Sequence, residues 1–257
     1  MLGCQGCFSC TGVGFGPVLP VTLILMYIYL YLNIFTILFP LLLSFDRKVA
    51  FYKSWAALWP AIFINGALFI VWDALFTRAG VWGFNEAYLT GIYLFNLPLE
   101  EVLFFITVPY ACVFIYDVLN AYIDKDLLQP YAKPIALLLM LVLPLIAIFN
   151  ISKVYTSVTF SLLTILHLVH LRFFDTKYLG RFYLAYLVHL VPFLLVNGVL
   201  TFLPIVWYNN SYNLGLRIVS IPVEDTMYSM LMLLLTISIY EGIRRRKAVK
   251  QYEPLAV

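Results

Sequence analysis

The chain has 257 residues, of which 63% are hydrophobic and only 11% charged, with a net charge of +3. A soluble domain carries about 25% charged residues, so this composition excludes a single water-soluble core and places the chain in a bilayer. The basic residues gather in loops and at the C-terminus, which speaks for membrane topology and against a nucleic-acid surface.

Residues 1–25 hold Cys4, Cys7 and Cys10 in a C-x2-C-x2-C pattern. Metal and iron–sulfur sites use such spacing, but no fourth ligand accompanies it. The segment reads as a disordered tail, or as sequence upstream of a natural start at Met26. It lacks the basic n-region of a secretory signal. The run Gly12-Val13-Gly14-Phe15-Gly16-Pro17 follows no strand, so it is no dinucleotide fingerprint.

Seven apolar runs follow, over 21–43, 54–76, 98–119, 134–149, 154–171, 182–206 and 222–243. Each is long enough, or nearly so, to cross a hydrocarbon core of about 30 Å. Runs of that length satisfy their backbone there only as helices. Of the 16 lysines and arginines, all but Arg78, Lys153 and Arg217 fall in the first, third and fifth loops and the C-terminal tail. That asymmetry puts the N-terminus outside and the C-terminus in the cytoplasm. Trp55, Trp59, Trp82 and Trp207 stand near run ends, as interfacial belt residues do.

Landmarks recur in the same order in both halves. Phe45-Asp46 and Phe51-Tyr52 answer Phe174-Asp175 and Phe182-Tyr183. Asn65-Gly66-Ala67-Leu68 answers Asn197-Gly198-Val199-Leu200, with Pro60 and Pro192 five residues before each Asn. Gly91 precedes Pro98 as Gly215 precedes Pro222. The expected architecture is an all-α integral membrane protein of seven transmembrane helices. Two parallel three-helix repeats, residues 26–122 and 153–245, are joined by a linker with the fourth helix (123–152), and 246–257 form a basic tail. A pseudo-two-fold along the membrane normal relates the repeats.

The chemistry-bearing stretch is Asn96-Leu97-Pro98-Leu99-Glu100-Glu101, repeated as Ser220-Ile221-Pro222-Val223-Glu224-Asp225. Pro98 and Pro222 suit a first helical turn, where a missing N–H costs nothing. The acids then open their helices on the same, non-cytoplasmic side. Neighbouring helical residues point about 100° apart, so one acid of each pair faces the interior. Acids in differing environments are what proton transfer requires, and ionisable residues within spans are functional by default. Asp73, late in the second run, ends at the level of Glu100. Its counterpart, by the Asn-Gly match, falls near apolar Ile205. Asn65 and Asn197 contact substrate or acids, or bond across helices. Arg78 or Arg217 is placed to pair with an acid. His167, His170 and His189 lie toward the cytoplasmic side, away from the acids, and no metal is read from them. The many aromatic rings supply packing, and a subset lining a cavity would stabilise a carbocation.

Asp73, Trp82-Gly83-Phe84, Gly91-Ile92-Tyr93, Asn96 to Glu101 and the second Pro222-Val223-Glu224-Asp225 together resemble the membrane-embedded lycopene cyclases, over about residues 26–245. The stretch Phe45 to Lys53 adds to the likeness. This chain looks like the fused form of a family that also occurs as two small subunits, with Asp225 standing where a Glu is usual. The resemblance implies non-redox cyclisation of an acyclic carotenoid end group to a β-ionone ring, with no cofactor. Glu100, Glu101, Glu224 and Asp225 would hold the acid and base. Asp73, Asn65, Asn197, Trp82, Pro98 and Pro222 would support them or stabilise the cation. The implied substrate is a lipophilic polyene from the bilayer, and carotenoid-pathway enzymes are the implied partners. A proton-coupled transporter and an enzyme acting on other carotenoid ends are the competing classes. A retinal protein is excluded, since the last run lacks a lysine.

Overall fold

Backbone amides find no water in a bilayer, so long apolar runs close their hydrogen bonds within helices. The computed structural model describes residues 26–174 and 176–252. There the chain is all-α, with α1 Ile28–Leu43, α2 Trp55–Arg78, α3 Leu99–Tyr122, α4 Gln129–Phe149, α5 Val154–Phe173, α6 Lys177–Phe202 and α7 Val223–Tyr252. By length and composition, α2 to α7 can cross a membrane, while α1 has 16 residues. The cysteine motif of residues 1–25, and with it the expected start of the first run, lies outside the described residues.

Four described helix ends differ from expectation by four residues or more, three of them for a plain local reason. The helix α4 begins at Gln129 because Pro130 fits its first turn, where no N–H is needed. The helix α6 runs from Lys177 and stops at Phe202 instead of 206. Pro204 cannot continue it, and Val206–Tyr208 form a strand instead. The helix α7 passes Ile243 to Tyr252, since Arg, Lys, Ala and Gln there favour helix.

The helices pack as two interlocked sets. Helix α1 lies on α3 and α5 on α7; α2 packs on both α3 and α7, and α6 on the same two; α3 and α7 meet each other. Helix α4 bridges α5 and α6. At the end where α3 and α7 finish, Asp117 accepts from the Tyr240 hydroxyl at 2.6 Å and pairs with Arg244 at 3.2 Å.

At the opposite end, six short strands among the described residues form three ribbons. Strand β1 (Trp82–Phe84) pairs antiparallel with β4 (Val206–Tyr208). Hairpin β2–β3 (Tyr93–Leu94 with Leu97–Pro98) leads into α3, and hairpin β5–β6 (Arg217–Ile218 with Ile221–Pro222) leads into α7. Each turns on a non-glycine residue of positive φ, Phe95 at 58° and Val219 at 60°. Such a conformation is a local strain for bulky residues, and both hairpins hold it.

These ribbons fix the true register of the two halves. Gly83 pairs with Trp207, Trp82 with Tyr208 and Phe84 with Val206, about a two-fold centre. The flanking bonds are reciprocal: Asn85 N donates to Ile205 O and Asn209 N to Val81 O, both at 2.9 Å. Helix ends repeat too, with Val81 N on Phe76 O and Ile205 N on Leu200 O. Counting back along the unbroken helices α2 and α6, Asp73 corresponds to Asn197, and Asn65 to His189. The Asn-Gly match in the sequence is therefore a coincidence, and Asp73 faces a polar counterpart rather than the apolar surroundings of Ile205. An eight-residue slip turns the helix by only about 80°, within the width of one apolar stripe, so periodicity alone could not reject it.

The prolines also sit differently from expectation. Pro98 and Pro222 are the last strand residues, and Pro98 is the residue capping α3, with φ −64° and ψ 149°. Their fixed φ suits the extended strand end as well as a helix start. Glu100 and Glu101, like Glu224 and Asp225, do occupy first turns.

Candidate active site

Glu100 and Glu101 are neighbours on α3, so packing around α3 sends them to different places. Glu100 turns back toward its own hairpin, where its Oε1 accepts from Thr90 N at 2.6 Å. Glu224 does the same from α7: its Oε1 accepts from Leu214 N at 2.7 Å and from the Thr156 hydroxyl at 2.6 Å. Both carboxylates are wholly buried and tie a loop to a helix start. The helix N-terminus favours negative charge there.

Glu101 and Asp225 point the other way, into one cavity of about 60 Å³ that Asp73 also lines. The cavity lies at the ribbon end, between α1, α2, α3, α5, α6 and α7. Tyr29 of α1 donates its hydroxyl to Glu101 Oε2. Tyr155 of α5 donates to Asp225 Oδ1 at 2.6 Å, and Tyr208 of β4 to Asp225 Oδ2 at 2.8 Å. Trp82 of β1 donates its indole N–H to Asp73 Oδ1. Among the described residues no lysine or arginine lies within ion-pair distance of these three acids, in contrast to Asp117 at the far end. Burial, and then the charge of Asp225, push the pKa of the Tyr208 hydroxyl well above the usual phenol value. That phenol stays a proton donor throughout the working pH range.

The wall is aromatic. Trp82 meets Tyr155 at 5.0 Å between centroids, and Tyr155 stacks on Tyr208 at 6.2 Å. Tyr228, Phe84, Phe104 and Phe193 complete the aromatic part of the lining. Ring faces around buried carboxyls make a chamber suited to a transient cation.

The remaining sequence candidates separate clearly. Asn197 lines the cavity and donates back to Phe193 O at 3.4 Å. Asn65 is fully buried two turns below Asp73, away from the cavity, and its side-chain atoms have no protein partner among the described residues. Pro98 and Pro222 shape the approach to the acids without lining the cavity. Arg217 donates to Asn210 Oδ1 and covers the Tyr208 ring at 5.5 Å, rather than pairing with an acid. His167 contacts Leu163 O and Tyr183, His170 contacts Ser238, and His189 contacts Cys112.

Tyr29, Tyr155 and Tyr208 are the site residues that sequence reasoning missed. Nothing marks three tyrosines among 19. The one usable signal lay in the symmetry, since Tyr29 and Tyr155 stand at matching places in the two repeats.

A family model described as lycopene cyclase matches residues 26–119 and 152–243, well over half of the chain. The chain belongs to the lycopene cyclase family. Two matched segments fit the doubled fold, and they contain all of the acids and hydroxyl donors described above. Membership brings carotenoid cyclase function in general terms, and with the apolar helices it makes this a membrane protein of carotenoid biosynthesis. No curated protein and no solved structure matches the chain.

Proposed function

We propose that the chain is a lycopene β-cyclase, an isomerase that converts acyclic ψ-ends to β-ionone rings within the membrane. The observation that carries this is the convergence of Glu101, Asp225 and Asp73 on one aromatic-walled cavity inside an apolar bundle. A proton donor, a proton acceptor and a cation-stabilising wall are the groups that the reaction needs.

Glu101 is the donor. Its Oε2 is held by Tyr29, which leaves Oε1 to deliver a proton to the terminal alkene of the polyene. The tertiary cation so formed is attacked by the C5–C6 alkene, and the charge moves into the new ring. Asp225 is the acceptor, because hydroxyl protons already point at both of its oxygens and orient its lone pairs. It removes the ring proton whose loss makes the new double bond. Substrate and product are isomers, so the proton balance closes when the proton returns from Asp225 to Glu101. Asp73 and the rings of Trp82, Tyr155 and Tyr228 lower the energy of the cation before deprotonation. Glu100 and Glu224 hold the scaffold.

The finer architecture proposed is seven spans, with 26–122 and 153–245 as parallel three-helix repeats around linker 123–152, and 246–257 as a basic tail. The basic loops put the ribbon end outside and the Asp117–Arg244 end in the cytoplasm. The substrate comes from the lipid, delivered by neighbouring enzymes of the pathway.

The test is expression in lycopene-accumulating cells. The expected result is conversion of lycopene to ring-bearing pigment; unchanged lycopene, with the protein found in the membrane, would sink the proposal. Tyr208→Phe gives the residue type that its counterpart Phe84 already is. Losing a hydrogen bond to a charged group costs about 1.5–3 kcal/mol, so we expect about a tenfold slower ring formation with normal membrane abundance. An unchanged rate would show that Asp225 does not need its second donor.

A further inference from the structure

We infer that the groove between α1, α3 and α6 is the lipid-side entrance of the acid cavity, and that the polyene chain of the substrate lies in it. This rests on the cyclase reading for the identity of the occupant.

The groove holds about 200 Å³ and its lining is almost wholly apolar. Phe35 and Phe39 on its rim are more than half exposed, toward the lipid side of the bundle. Phe104, Val108, Phe193 and Asn197 line both the groove and the acid cavity, so the two spaces adjoin and only these side chains stand between them. The cavity alone, at about 60 Å³, is well under the roughly 150 Å³ that takes up a benzene. A trimethyl-cyclohexene ring therefore needs the junction as well, and the conjugated chain must trail through the groove.

The doubled fold supplies an internal control. The two-fold counterpart of this groove is the one between α2, α5 and α7, lined by Leu68, Trp72, Leu162, Ile165 and Leu235 among others. It is larger, about 550 Å³, yet it shares no lining residue with the acid cavity. Its inner wall is a row of rings. Trp72 meets Tyr228 at 5.0 Å and Phe76 at 5.5 Å, and Phe69 meets Tyr228 at 5.1 Å. In the register fixed by the ribbons, the counterparts of Trp72, Phe76, Tyr228 and Leu235 are Val196, Leu200, Phe104 and Ala111. Smaller side chains at three of these four places open one side, and large rings shut the other. Pseudo-symmetry thus ends at the substrate: among the described residues this groove meets the acid cavity and its two-fold counterpart does not.

The experiment transplants the closed side onto the open one. Wild type, Val196→Trp, the milder Ala111→Leu and the control Leu162→Trp are each produced in lycopene-accumulating cells. Ring-bearing pigment and the polyene carried by the purified protein are then measured, after membrane insertion and a single species on gel filtration are verified. Val196→Trp is expected to lose more than about tenfold in both, since misplacing a substrate costs that much or more. Ala111→Leu is expected to fall between Val196→Trp and wild type, and it serves if the tryptophan variant does not fold. Leu162→Trp, in the closed groove, is expected within about twofold of wild type, as remote surface changes usually are. Wild-type binding and turnover in both Val196→Trp and Ala111→Leu, or a tenfold loss in Leu162→Trp, would overturn the inference. So would a wild-type protein that carries no polyene. A wild-type protein that carries lycopene but forms no ring would instead overturn the reaction and leave the entrance to be judged from bound polyene.

Discussion

Glu101→Gln and Asp225→Asn are each expected to lower ring formation by about 10³-fold, within the range that one positioned acid or base supplies, with protein abundance in the membrane unchanged. Each replacement keeps shape and hydrogen-bond reach but cannot exchange a proton. The amide put in by Glu101→Gln would still accept from Tyr29, and the one put in by Asp225→Asn from one of its two tyrosines, so folding is preserved and chemistry is not. Glu100→Gln and Glu224→Gln make the contrast. Their amide oxygens still accept from Thr90 N or Leu214 N, so the cost is about 1 kcal/mol of stability and the rate stays within a few-fold. Pigment levels and membrane abundance of the four variants decide the matter. Wild-type cyclisation by either Glu101→Gln or Asp225→Asn removes that residue from the proposed chemistry, and a greater loss in the Glu100 and Glu224 variants reverses the assignment.

Gly83→Val is expected to cost about 2–3 kcal/mol, at the upper end of overpacking penalties, and to slow the reaction more than tenfold. A Cβ at Gly83 would run into the indole of Trp207, its cross-strand partner in the β1–β4 ribbon. The ring is partly exposed and can swing out, but then the two-fold centre of the ribbon opens. This ribbon carries both Trp82, which donates to Asp73, and Tyr208, which donates to Asp225. One displacement therefore loosens two of the three acids. Thermal unfolding in detergent together with the cyclisation rate tests it: a variant as stable and as fast as wild type would show that the ribbon does not position the site.

Helix content and the membrane setting follow from local causes, and the sequence carried them plainly. An apolar run in lipid has no alternative to the helix, whatever its neighbours are. The acid pairs were legible for a related reason. A buried carboxylate is costly, so Pro98–Glu101 and Pro222–Asp225 stand out against apolar helices, and their repetition points to one doubled site. For α1 the described helix has 16 residues, and the start of the run expected there lies outside the described residues.

What the sequence did not determine is the direction each side chain faces. Neighbouring helical residues diverge by about 100°, so one acid of each pair had to face inward. Only the packing of α1 on α3 and of α5 on α7 chose Glu101 and Asp225, and turned Glu100 and Glu224 to the hairpins. Tyr29 and Tyr155 reach the acids across some seventy residues of chain, a pairing no local pattern can signal. The register of the repeats was likewise settled by the β1–β4 ribbon, which sets Asp73 against Asn197 rather than leaving Asn65 there. The sequence by itself determined that buried acids open two membrane helices. The tertiary structure decided which of them meet, because facing is a property of contacts between elements and not of any one element.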